Sequence, residues 1–299
     1  MTTDPIRTVA IIQARMSSSR LPGKVLLDIA GQPMLAHVIE RTRLAQTVSQ
    51  VVVATTDDPA DNPLVEFCAR LGCPVYRGSQ FDVLDRYFQA ARQFQAQVIV
   101  RITADCPLLD PALVDLTVRY FLGEAGTSLP QPVSGTSSET EFPWDFAANR
   151  LPPPWGRTYP IGLDVEVCSF SALARAWQSA THPHQREHVM PYLYEYSPIA
   201  DARHLESYTP PEATQAFDPQ HPQFRTLLIN HSQDFGSLRW TVDTPEDLAL
   251  VRAIFEHFQP RRDFSWQEVL EYVRAHPELA QINAAVIHKK LHDVDSRTG

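Results

Sequence analysis

Short runs of β-branched and aliphatic residues recur through the first 120 positions: TVAII from Thr8, VVVAT from Val51 and VIVRIT from Val98. Between them apolar residues return at helical spacing, which demands a strand–helix–strand rhythm with helices on the faces of a sheet. Leu35, Val38 and Ile39 mark one helix, residues 62–71 a second, Asp82 to Phe94 a third, and a fourth opens at Asp110-Pro111. A short strand at Pro74-Val75-Tyr76 fits between the second and third. The spacing predicts an α/β fold with a mixed, mostly parallel central sheet. Ligands of such sheets gather beyond the carboxyl ends of the strands, so the residues just after each apolar run carry the chemical interest.

After TVAII the chain reads QARMSSSRLPGK, which places Arg15, Arg20 and Lys24 within ten positions around Ser17, Ser18, Ser19 and Gly23. Cations, hydroxyls and backbone amides gathered in one small-residue loop are the donors a polyphosphate requires. An ordinary solvated basic turn is the alternative. The loop is neither G-x-G-x-x-G nor a P-loop, which counts against a dehydrogenase and a P-loop NTPase. A formal charge of -9 counts against a general nucleic-acid binder, so the basic cluster is local. Cys68, Cys73, Cys106 and Cys168 form no CxxC pair and read as reduced thiols, not as a zinc site. The amino terminus MTTDPIRT is too polar for a signal peptide, and no apolar run reaches membrane-spanning length. A cytoplasmic protein with neither a membrane nor a nucleic-acid partner is the expectation.

Two aspartates follow strand-like runs and have no structural duty. Asp105 lies in RITADCPLLDP, where Asp110 before Pro111 is the better helix cap. Asp243 lies in LRWTVDTPEDL, where Thr244, Pro245 and Asp247 form an N-terminal signature of their own. Magnesium takes one or two carboxylates plus substrate phosphates and waters, so Asp105 and Asp243 are expected to share a metal beside the cationic loop. Capping or solvated surface stays open as the alternative for Asp243.

The second half is less regular. Residues 128–160 are rich in proline and serine and read as an irregular insertion; Pro198 to Pro222 reads as another. GLDVEV at 162–167 alternates apolar and acidic residues, as a half-exposed strand or an arm against a partner would. Helical patterns cover 170–179 and 185–196, and strands are expected near 224–230 and 237–242. A helix carrying Leu248, Val251, Ile254, Phe255 and Phe258 on one face closes the main domain, and Phe264 begins a helical tail.

IIQARMSSSRLPGKVL, VVATTDDP, RGSQFDVLDRY, RITADCPLLDP, YPIGLDVEV, REHVMPY and WTVDTPEDL, in this order, resemble the motifs of the spore-coat polysaccharide type of cytidylyltransferase. More distantly the chain is similar to the acylneuraminate and 3-deoxy-manno-octulosonate cytidylyltransferases. The resemblance implies a Rossmann-like nucleotide-diphospho-sugar transferase (GT-A-like) fold over residues 1–258. It places a small lid or dimerisation insertion at about 142–206, a helical extension at 259–299, and a homodimer. It implies that Mg2+ at Asp105 and Asp243 helps couple CTP to a sugar, giving a CMP-sugar and pyrophosphate. Gln13, Ala14, Arg15, Ser17, Arg20, Lys24, Arg77 and Asp105 would hold the nucleotide, the base meeting backbone groups around Ala14 and also Arg77. Arg15, Lys24, Asp105 and Asp243 would act in catalysis. Tyr159, Asp164, Glu166, Arg186 and His188 are the sugar-side residues, with Arg186 suited to a substrate carboxylate. His188 as a structural histidine is the plainer alternative, and Asp164 is a possible proton acceptor. Segments near 124–143 and 207–222 are longer than the family's usual connections. A glycosyltransferase of the same fold and a silent sugar-nucleotide binder are the rival functions; the former usually presents D-x-D where this chain has Asp105-Cys106-Pro107.

Overall fold

The computed structural model describes residues 5–124, 142–153, 155–197, 199–201 and 224–287. In chain order, β1 (Thr8–Gln13), a minimal hairpin of β2 (Asp28–Ile29) and β3 (Gln32–Pro33), and α1 (Met34–Arg43) lead to β4 (Gln50–Thr56) and α2 (Asn62–Arg70). Then come β5 (Val75–Gly78), α3 (Val83–Gln93), β6 (Val98–Thr103) and α4 (Pro111–Leu122). The second half supplies β7 (Phe146–Ala148), β8 (Glu166–Ser169), α5 (Phe170–Ser179), α6 (Pro183–His188), α7 (Pro191–Tyr194), β9 (Ile199–Asp201), β10 (Thr226–Leu228), α8 (Pro245–Phe258), α9 (Trp266–Ala275) and α10 (Pro277–Ile282).

Eight strands form one sheet in the order β5-β4-β1-β6-β8-β7-β10-β9, and β8 alone runs against its neighbours. The mixed, mostly parallel sheet is the one the spacing predicts. Its strands β1, β4 and β6 are buried on both faces, as parallel strands under helices must be. Ala10, Ile12, Val53 and Val100 face one apolar cluster with α1, α4, α8 and α9, while Val9, Ile11, Val52 and Ile99 face a second with α3, α5 and α7. No helix among the described residues is long and apolar enough to cross a membrane.

Several expectations change. Within the segment read as irregular, Phe146–Ala148 is a buried strand, too short for its period to be seen. The strand expected at 162–167 begins only at Glu166 and is buried throughout, not half-exposed. Its acidic residue is accommodated because Glu166 stands opposite Arg101 in the β6–β8 register and pairs with it. The helical stretch at 185–196 breaks into α6 and α7 at Val189, whose φ is 72°. Residues 237–242 make one isolated bridge, Ile161 with Arg239, instead of a strand. Gly162 permits that crossing: with φ at 104°, a Cβ there would lie 2.5 Å from the Thr241 amide nitrogen. The two long connections fall mostly on 125–141 and 202–223, outside the described residues.

Candidate active site

β1, β4 and β6 are parallel, so the segments after β1 and β6 leave the sheet at the same edge and open on one cavity of about 1270 Å³. That is room for a nucleotide and a second substrate. Gln13, Ala14, Arg15, Ser18, Ser19, Arg20 and Lys24 line it. Gly23 turns the loop into a short 3-10 helix from a left-handed conformation with φ 69°, which glycine adopts without strain. The loop is tied down by its own backbone: the Gly23 amide donates to the Met16 carbonyl at 2.9 Å, the Met16 amide to Asp61 Oδ1 at 2.8 Å, and the Ala14 amide to the Ala54 carbonyl at 3.1 Å. These amides keep the loop's shape instead of facing a ligand, so Ala14 does not offer its N–H to a base. Asp61, fully buried, also accepts from Thr55 Oγ1 and Thr56 Oγ1, which joins the loop to the end of β4. Ser17 is not among the cavity-lining residues; Ser18 and Ser19 stand there.

Asp105 and Asp243 come together on Lys24. Asp110 caps α4 by accepting from the Ala112 amide at 2.7 Å, and Thr244 with Asp247 forms a capping box on α8, so neither Asp105 nor Asp243 is spent on a helix end. The Val242 amide donates to the Asp105 carbonyl at 2.8 Å, which sets the two segments side by side. Lys24 Nζ donates to Asp105 Oδ2 at 2.9 Å, to Asp243 Oδ1 at 2.9 Å and to the Val242 carbonyl at 2.7 Å. Arg20 reaches Asp243 Oδ2 at 2.9 Å and Arg239 reaches the same oxygen at 2.8 Å. Burial opposes the charge on Lys24, but the two carboxylates overcome it and hold the ammonium pKa above its ordinary value. Burial likewise opposes the Asp243 carboxylate, and Lys24, Arg20 and Arg239 together hold it well below the usual range.

Two carboxylate oxygens that converge on one cation fit a magnesium ion, whose remaining positions belong to phosphates and water. Among the described residues no group of three or more His, Cys, Asp or Glu is arranged to hold a metal by itself. An ion here would therefore complete its shell from the substrate.

The sugar-side residues separate into two groups. Asp164, Glu166 and His188 line the cavity. Asp164 accepts from Arg157 Nη1 at 2.7 Å and faces Arg150 Nε at 3.3 Å. Glu166 is paired with Arg101, which also donates to Gln13 Oε1 at 3.0 Å and so links β8 to the end of β1. Tyr159, Arg186 and Arg77 are not among the lining residues. Tyr159 is buried in the core against Trp266 and His231. Arg186 clasps Asp82 and donates to the Trp177 carbonyl at 2.7 Å, pinning α6 to the start of α3. Arg77 is bound to the Thr56 and Asp58 carbonyls, both at 2.9 Å, and to Asn62.

Other residues on the cavity wall were not singled out from the sequence: Arg86, Arg101, Arg150, Arg157, His182 and His184. Arg101 interrupts an otherwise apolar strand, and Arg86 sits among Val83, Leu84 and Tyr87 on the buried face of α3. A cation at a core position is a signal that was there to be read. Arg150 and Arg157 lie in the proline-rich stretch, where no period points to them.

A family model described as Cytidylyltransferase matches residues 9–254. The chain is similar to the spore coat polysaccharide biosynthesis protein SpsF of Bacillus subtilis, 27% identical over 90% of this chain and 95% of that protein. It is 31% identical to a 3-deoxy-manno-octulosonate cytidylyltransferase of Anaeromyxobacter sp., over 83% of this chain and 96% of that one. The solved structure of a cytidylyltransferase from Leptospira borgpetersenii aligns with a TM-score of 0.74 at 28% identity, covering 95% of this chain and 100% of that chain.

Proposed function

The chain belongs to the cytidylyltransferase family of nucleotidyltransferases, and from that premise we propose that it couples CTP to an acidic 2-keto-3-deoxy sugar with Mg2+ as cofactor. The products are a CMP-sugar for surface polysaccharide assembly and pyrophosphate. The observation that carries this reading is the convergence of Asp105 and Asp243 on one cation, 2.9 Å from each, beside the arginines of the loop after β1.

In the reaction a sugar hydroxyl oxygen attacks the α-phosphorus of CTP and gives up its proton to solvent, the bond from that phosphorus to the β-phosphate oxygen breaks, and pyrophosphate leaves. Asp105 and Asp243 would hold Mg2+, which would supply charge neutralisation for the phosphates. Arg15 and Arg20 spread the remaining negative charge, which grows on the leaving group. Lys24, released from the carboxylates as the nucleotide arrives, carries its ammonium to a phosphate oxygen. Gln13, at the end of β1, lies between this end and the sugar end through its bond with Arg101.

For the sugar, Arg150 and Arg157 present two guanidiniums to one carboxylate, Asp164, at 3.3 and 2.7 Å. Two guanidiniums against one carboxylate leave a net positive charge that a substrate carboxylate would balance, and Arg suits its planar geometry. Asp164 and His188, on the same cavity wall, face the sugar hydroxyls. Arg150 and Arg157 thus take the role that sequence reading gave to Arg186.

The test is pyrophosphate release with each of the four NTPs and a panel of 2-keto-3-deoxy acids and neutral sugars, with and without Mg2+. Release with CTP, Mg2+ and an acid of this class is the expected result. Release only with neutral sugars overturns the acidic substrate; turnover only of a preformed nucleotide sugar overturns the transfer itself.

A further inference from the structure

The family model ends at residue 254, yet the chain continues through α9 and α10 to a buried side chain, Asn283, that caps α10. Its Nδ2 donates to Asp247 Oδ1 at 2.8 Å and to the Arg239 carbonyl at 3.0 Å. Asp247, at 0% exposure, collects five N–H donors: Arg239 Nε at 2.9 Å and Nη2 at 3.0 Å, the Asp243 amide at 2.9 Å, the Thr244 amide at 3.1 Å, and Asn283. Arg239 Nη2 is shared, reaching Asp243 Oδ2 at 2.8 Å as well. A relay of direct contacts therefore runs from Asn283 through Asp247 and Arg239 to Asp243, and on through Lys24 to Asp105.

We propose that the carboxy-terminal extension is part of the catalytic apparatus: Asn283 is a positioning residue that, through Asp247 and Arg239, fixes the Asp243 carboxylate for the metal-bound nucleotide. The proposal rests on the reading of Asp243 as a metal ligand. The physical reason lies in the shared Nη2. A fully buried carboxylate needs its lone pairs filled, and loss of a donor leaves a costly vacancy. Without the Asn283 amide, Asp247 draws the Arg239 fork toward itself, and the bond to Asp243 lengthens. Asp243 then has Lys24 and Arg20 alone to orient it, and both of these are asked to serve phosphate. The rest of the extension is anchored independently. Arg41 donates to the Arg262 and Phe264 carbonyls at 2.6 and 2.7 Å, and the Trp266 amide to Asp110 at 2.7 Å. Removing the Asn283 amide thus changes the relay while the tail stays docked.

The experiment compares Asn283→Ala with Leu279→Ala, a buried apolar residue on the same helix that takes no part in the relay. Mn2+ binding in the presence of CTP is read by water proton relaxation, and stability by thermal melting. Asn283→Ala is expected to weaken Mn2+ binding about 10-fold, as loss of a group supporting a metal ligand does. Leu279→Ala is expected to lower the melting temperature with Mn2+ affinity unchanged. Wild-type affinity in Asn283→Ala, or equal weakening in Leu279→Ala, overturns the positioning role. Should Asn283→Ala fail to fold, Arg239→Lys carries the same test, because it keeps the charge but cannot bridge both carboxylates. If wild type itself binds no Mn2+ with CTP, or Asp243→Asn binds as wild type does, the metal reading fails and the proposal with it.

Discussion

Replacing Lys24 with methionine keeps an unbranched side chain, one atom shorter, and removes the cation that bridges Asp105 and Asp243. The ammonium makes three contacts of 2.7 to 2.9 Å in a nearly buried setting. Breaking a buried ion pair by deleting one partner costs about 3–5 kcal/mol when the other charge is left unpaired. Here the cost is smaller. Asp243 keeps Arg20 and Arg239, and the Asp105 side chain is 26% exposed, so water solvates part of the stranded charge. We expect a loss of about 2 kcal/mol, which in a chain of this size lowers the melting temperature by roughly 3 °C. With no ammonium between the carboxylates, a divalent ion enters without displacing anything. Added Mg2+ should therefore recover more stability in Lys24→Met than it adds to wild type, and Mn2+ should bind the nucleotide-free variant more tightly than it binds wild type. Melting scans with and without Mg2+, in the absence of CTP, measure both effects. An unchanged melting temperature, or equal Mg2+ stabilisation of the two proteins, refutes the shared-site argument.

Three further outcomes follow from the same contacts. Glu166→Ala strands the buried Arg101 guanidinium, so denaturant unfolding should show a loss of about 3 kcal/mol or more; a loss under about 1 kcal/mol contradicts the pairing. Stability should fall in two stages on acidification. Burial lowers the pKa of His37, so the unfolded chain binds the extra proton and the His37 contribution, full above about pH 6.5, is lost as pH drops through the folded value. Acting against burial, Lys24, Arg20 and Arg239 hold Asp243, and Arg239 and Asn283 hold Asp247, below the ordinary carboxylate value, so their contribution is present above about pH 4 and disappears below it. Denaturant titrations across this range check both stages, and His37→Gln should remove the first; identical profiles for variant and wild type contradict that assignment. All four cysteines are buried, with burial pushing the Cys68 thiol up to about 12 and Cys73 to about 11, so a thiol reagent should label the native protein slowly and the unfolded protein fully. Rapid native labelling refutes it.

The first half of the fold was legible because its periods are long enough to be seen: TVAII, VVVAT and VIVRIT became β1, β4 and β6 almost residue for residue. The cavity aspartates were legible by elimination, since Asp110 and Thr244 do the capping that Asp105 and Asp243 are excused from. β7 was hidden because three residues show no alternation. The 162–167 segment misled because Glu166 looks solvent-seeking until Arg101, 65 residues earlier, is known to stand across the sheet. Arg186 and Arg77 misled in the opposite way: each is a long cation near a plausible motif, yet each is taken up by neighbouring carboxylate or carbonyl oxygens. Local pattern places elements, but the partner of a charged side chain is a long-range fact.

Phosphorus NMR of the purified protein incubated with CTP, Mg2+ and a 2-keto-3-deoxy sugar acid tests the central claim most directly, because it follows the α-phosphorus itself. The account predicts that the CTP resonances give way to a single phosphodiester resonance of a CMP-sugar and an equal amount of pyrophosphate. Appearance of CDP with inorganic phosphate, or CTP left intact while a supplied CMP-sugar is consumed, would contradict it.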